Sequence, residues 1–126
     1  MTCGPLTGNV VAVQEQSSNR WQTSLWSPTC PLAAADVESI TATLVDLPSG
    51  EVVNNRDGQD ALSNGFTLHP TSGLLTWAIT VADSTIGNEF VAMGDYGRHL
   101  LTLSITSTSG RKDHREVLLL IRRILR

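Results

Sequence analysis

An all-β sandwich of about seven to eight short strands is what this sequence predicts, on three grounds. In the last third, His99, Leu101, Leu103 and Ile105 alternate with Arg98, Thr102 and Ser104, Leu100 being the exception, and Val117, Leu119 and Ile121 repeat the pattern. A period of two marks a strand half-buried on one face. Turn residues recur at intervals of roughly eight to twelve residues. No run of roughly ten residues carries the apolar period of an amphipathic helix.

With 126 residues, the chain has the size of a single domain that buries about two-thirds of its unfolded surface. Its 17% charged residues fall short of the usual ~25%. Thr, Ser, Gly and Asn make up the difference, which suits strands and turns. The net charge of -3 argues against a general nucleic-acid binder. It hides an asymmetry, because residues 111–126 hold six of the nine basic residues and two acidic ones, +4, leaving -7 elsewhere. There is no charged region leading into an apolar one at the start, and no apolar run nears the roughly 18 residues of a membrane span. A soluble protein made in the cytosol is expected. Cys3 and Cys30 form neither a zinc ribbon nor a CxxC. They are expected as free thiols, the alternative being a pair formed by an N-terminal arm that folds back.

In chain order, residues 1–9 hold Gly4, Pro5, Gly8 and Asn9 and predict an irregular arm. Val10 to Gln16 is a short strand, and Arg20 to Trp26 another, with Trp21 and Trp26 on opposite faces, one for burial and one for docking. Pro28 and Pro31 end it. Ser39 to Asp46 is a strand with Ile40, Ala42 and Leu44 on one face. Leu47-Pro48-Ser49-Gly50 is a turn leading to a hairpin partner over Glu51 to Asn54. Residues 55–60 are polar, with few apolar anchors, and predict a surface loop. Phe66 and Leu68 share a face of a short strand, and Leu75, Trp77, Ile79 and Val81 share a face of the next. Residues 82–86 predict a helical turn capped by Asp83 or Ser84 and stopped by Gly87. The chain closes with an antiparallel hairpin that turns through the polar residues 107–113. Its last strand carries Leu118 and Leu120 on the second face, so a covering layer is expected on both sides.

Candidate chemistry is sparse. His69, His99 and His114 have no ligand partner at short spacing. No serine sits in a G-x-S-x-G elbow, and Asp57-Gly58-Gln59-Asp60 lacks the ligand number of an EF-hand. Gly94 and Gly97 lack the strand-to-helix context of a phosphate loop and are expected to let the chain turn into the strand. No catalytic residue, metal or cofactor is expected. The segment LLLIRRILR from Leu118 to Arg126 admits two readings. It is either a last strand running into the core, or a docking peptide whose apolar side chains enter a neighbour while Arg122, Arg123 and Arg126 pair with its carboxylates.

From Asp36 onward the order of signals resembles the small immunoglobulin-like proteins of tailed bacteriophages. The matching elements are Ile40 to Asp46, Pro48-Ser49-Gly50, Asn64 to Leu68, His69 to Trp77, Ala82-Asp83-Ser84-Thr85, Gly94-Asp95-Tyr96, and a hairpin turning at Ser109-Gly110-Arg111. The resemblance implies an immunoglobulin-like antiparallel β-sandwich over 36–126; the chain departs from the family's usual pattern in its N-terminal extension over 1–35, with one or two strands, and in its apolar, basic tail. It also implies a non-catalytic virion structural protein, a capsid decoration or a neck or tail component. Such a protein binds phage capsid, portal or tail subunits and other copies of itself; the composition adds that no membrane partner is expected and that nucleic acid is a minor option. The expected interface residues are Trp21, Trp26, Leu118, Leu120, Arg122, Arg123, Ile124, Leu125 and Arg126. The alternative is a carbohydrate or host-surface binder using Trp26 and the 55–60 loop.

Overall fold

A computed structural model describes residues 6–24, 36–70, 72–86, 91–92 and 94–124. Expectations for Cys3, Cys30, Trp26, the two prolines after it, Gly87, Leu125 and Arg126 lie outside these residues. Eight strands are formed among the described residues: β1 (Leu6–Gln14), β2 (Asn19–Ser24), β3 (Val37–Asp46), β4 (Gln59–Asp60), β5 (Phe66–Leu68), β6 (Leu74–Ile79), β7 (Tyr96–Ser107) and β8 (Lys112–Arg122). They make a five-stranded sheet in the order β1-β8-β7-β3-β4 and a three-stranded sheet in the order β2-β6-β5. With β2 as the B strand, these are the GFCC′ and BED orders of an immunoglobulin sandwich, with β1 added beside G. The fold is an all-β sandwich.

Alternation decides which side chains enter the space between the sheets. Ile40, Ala42 and Leu44 of β3, Leu101, Leu103 and Ile105 of β7, and Val117, Leu119 and Ile121 of β8 are at most 1% exposed. Leu75, Trp77, Ile79 and Phe66 meet them from the smaller sheet. Each buried Val, Leu, Ile or Phe among them contributes about 1.5–3 kcal/mol relative to exposure. Trp77 stacks on Phe66 at 5.6 Å between centroids and 5° between planes. The terminal hairpin turns where the glycine predicts, Gly110 being left-handed at φ 89° with its N–H on the Ser107 carbonyl at 2.9 Å.

Several expectations are corrected. The N-terminal arm is not irregular through residue 9, because β1 begins at Leu6. The sandwich is not wholly antiparallel, since β1 runs parallel to β8. After β1 the chain crosses to the other sheet, where Gln16 is left-handed at φ 52° and its N–H bonds the Ser84 carbonyl at 3.0 Å. Glu51 to Asn54 makes only a single bridge, Val52 to Val45, because Asn54 and Asn55 turn the chain at positive φ. Val81 lies past the end of β6 and is 47% exposed. Gly97 is not a turn residue. It sits in β7, where an added Cβ would meet Ile86 Cγ1 at 3.2 Å, so its value is close packing; Gly94, at φ 87°, makes the turn. The layer expected outside Leu118 and Leu120 is not formed among the described residues, and both are half-buried.

The 55–60 loop, expected as a polar surface loop, is anchored by Arg56, which is 3% exposed. Its Nε and Nη2 donate to the two carboxylate oxygens of Asp83 at 2.6 and 3.1 Å, and its Nη1 to Gln59 Oε1 and the Asn64 carbonyl. The guanidinium lies 5.5 Å from the Phe66 ring centroid. Asp83 does not cap a helical turn forward; its carboxylate accepts the N–H and hydroxyl of Thr80 and the Asn54 amide. Burial raises the Asp83 pKa, but these donors and the Arg56 charge outweigh it and hold the carboxyl below its ordinary value. His99, 1% exposed, places Nδ1 3.0 Å from the Asp83 carbonyl, which can only accept, so Nδ1 carries the proton. Burial pushes the His99 pKa down, against the opposing pull of that bond and of Asp46 and Asp83. The network ties the β3–β4 connection to the turn after β6 and to β7, clasping the two sheets at one end.

Candidate protein-interaction surface

Register places the outward side chains of the five-stranded sheet in rows across the strands. One row is apolar over its whole width: Val10 pairs with Leu118, Leu118 with Leu100, Leu100 with Val45, and Val45 with Val52. Val10 is 53% and Val52 44% exposed, and the residues between are half-buried. The next row runs Ala12, Leu120, Arg98, and the one after it Gln14, Arg122, Tyr96. In the other direction the rows turn polar, through Glu116, Thr102 and Thr43 to His114, Ser104 and Thr41. The outer face is therefore an apolar stripe with two arginines on one flank and Glu116, His114 and hydroxyl groups on the other. The smaller sheet shows Arg20, Gln22, Thr67, Thr76 and Ala78 outward and has no such stripe.

The expected interface residues divide. Leu118, Leu120 and Arg122 lie on the striped face. Trp21 does not; it is half-buried and packs against the core opposite Trp77. The end of the tail turns back to the fold: Arg123 lies 3.7 Å from Glu15, and the Ile124 N–H donates to Glu15 Oε1 at 2.8 Å, while the Ile124 side chain stays 41% exposed. β8 itself ends at Arg122, and residues 123–124 stay tied to the fold through Asp95 and Glu15.

No family model and no curated protein matches the chain.

Sequence reasoning passed over Val10, Ala12, Val45 and Leu100 as surface residues. Their signal was present as Leu100 breaking its strand's alternation and as Val10 and Val45 on the faces opposite the core residues. What was missing was register, since residues from four strands meet only once the pairing is known. Catalytic geometry does not assemble on this face. Ser104 Oγ lies 3.0 Å from His114 Nδ1 at an exposed position on the sheet. No group of three or more His, Cys, Asp or Glu side chains among the described residues is placed to hold a metal. Beside the stripe, Ala12, Gln14, Ser17, Asn19, Tyr96 and Arg122 line an open depression of ≈ 480 Å³, with Tyr96 48% exposed.

Proposed function

We propose that this chain is a non-catalytic structural subunit of a tailed-phage virion, decorating the capsid or forming part of the neck or tail, and that it grips its neighbours with the outer face of the five-stranded sheet. The observation that carries this is the unbroken apolar row Val10, Leu118, Leu100, Val45. An outward sheet face normally alternates to polar residues, and a contiguous apolar strip rimmed by polar groups marks a contact surface. Arg98 and Arg122 on its flank favour a partner that sets carboxylates beside an apolar patch. The virion itself enters through the resemblance, since a sandwich by itself carries no function.

The test is incorporation into particles. Leu100→Asp and Leu118→Asp place charge in the row without touching the core, and should abolish recovery of the chain with purified particles by mass spectrometry while its circular dichroism spectrum is unchanged. Absence of the unmodified chain from particles, or full recovery of both variants, overturns the proposal. The depression beside Tyr96 favours a second reading, a glycan seated on the tyrosine ring with Arg122, Gln14 and Asn19 bonding its hydroxyls. A glycan array without a hit removes it.

A further inference from the structure

We infer that β1 is a self-pairing edge: a second copy of this chain lays its own β1 antiparallel against it across a two-fold axis, joining two five-stranded sheets into one. The inference rests on the fold and stands apart from the virion reading.

β1 ends with the Glu15 N–H donating to the Arg122 carbonyl of β8 at 3.0 Å. In a parallel pair alternate residues direct both backbone groups to the same neighbour. Odd-numbered residues of β1 therefore face β8, while Val10, Ala12 and Gln14 turn their N–H and C=O outward. The Gln14 carbonyl is occupied by the Ser17 hydroxyl at 2.5 Å. Val10 and Ala12 have no backbone partner on that side among the described residues, β1 being the end strand of its sheet.

Proteins usually blunt such an edge with a very short strand, a lysine, a proline or a covering element. The opposite edge follows this rule, β4 being two residues long. β1 has nine residues, LTGNVVAVQ, with no charge and no proline.

The same sequence chooses the occupant. A strand of another protein would satisfy the backbone equally well, but β1 offers it no charge to read. Against a copy of itself β1 brings no like charges together. Pairing that uses the free groups sets Val10 opposite the partner's Ala12, and Ala12 opposite the partner's Val10, with Val11 on the axis. In that register the apolar row from Val45 through Leu100, Leu118 and Val10 continues into the partner's Ala12 and the partner's Leu120. The stripes of the two copies then join across the seam.

Sedimentation of the full chain tests this. The unmodified chain should run at twice the monomer mass. Val10→Lys/Ala12→Lys and Val10→Glu/Ala12→Glu should each run at half that, and an equimolar mixture should return to the dimer mass. Leu100→Ser/Leu118→Ser, which alters the face and not the edge, should stay dimeric. Without any substitution, hydrogen exchange at the Val10 and Ala12 amides should slow as protein concentration rises through the dimerisation range. A chain that stays monomeric from micromolar to millimolar concentration overturns the inference. So does a dimer that survives the lysine pair, or one lost in the face variant alone.

Discussion

The five-stranded sheet is finished in opposite ways at its two edges. At β4 the strand is cut to two residues, and the loop before it is pinned by a buried guanidinium–carboxylate pair that reaches the other sheet. At β1 nine uncharged residues end the sheet. Closing an edge with ionised groups requires every donor and acceptor to find a partner, because an uncompensated buried charge is worse than none. Arg56 and Asp83 meet that requirement together with Asn54, Gln59, Asn64 and Thr80. The open edge has no such network, and the outward backbone groups of Val10 and Ala12 have no partner among the described residues.

Substitutions can break this contrast, the largest effect first. Arg56→Met strands a buried carboxylate and should cost about 3–5 kcal/mol in chemical denaturation. Adding Asp83→Asn should return part of that loss, because the charges leave together; strict additivity would show that the pair does not act as a unit. On the strand beside the open edge, Leu119→Ala removes a fully buried side chain and should cost about 2–5 kcal/mol. Leu118→Ala, its neighbour on the half-buried outer face, should cost less than about 1.5 kcal/mol. Equal losses at the two positions would mean that the outer face is covered.

The closed end should also report pH. The folded pKa of His99 lies below its ordinary 6.5, so on acidification the unfolded chain takes up the proton first. Stability should therefore fall as pH drops through 6.5 and level off below the folded value. Asp83 has the opposite charge type: its contribution is complete above 3.8 and is lost as pH falls through its lowered value. Denaturation midpoints across pH 4.5 to 7.5, bracketing the 6.5 of free histidine, should show the first slope, and His99→Gln should flatten it. Smallest of all, Val10→Lys/Ala12→Lys should change monomer stability by less than about 0.5 kcal/mol, since both side chains are exposed. A larger loss would mean that these positions are packed within the chain's own fold.

Much of the fold was legible in particular residues. The alternation in β3, β6, β7 and β8 identified the core side chains by name, and Gly110 identified the turn of the last hairpin. Arg56 was not legible, because one arginine in a polar loop looks like a solvated charge until Asp83, 27 positions away, is brought beside it. The parallel placement of β1 was not legible either, since a short valine-rich run says strand without saying which neighbour or which direction.

The interaction surface shows the same division. Sequence periodicity alone marked Leu118 and Leu120 as apolar side chains on the wrong face for a core, because a period of two reports which side of its own strand a residue occupies. That Leu118 lines up with Val10, Leu100 and Val45, and Leu120 with Ala12 and Arg98, and that Trp21 faces inward, were settled only by how the strands pair and stack. Those contacts join residues far apart in the chain, and no local pattern encodes their register.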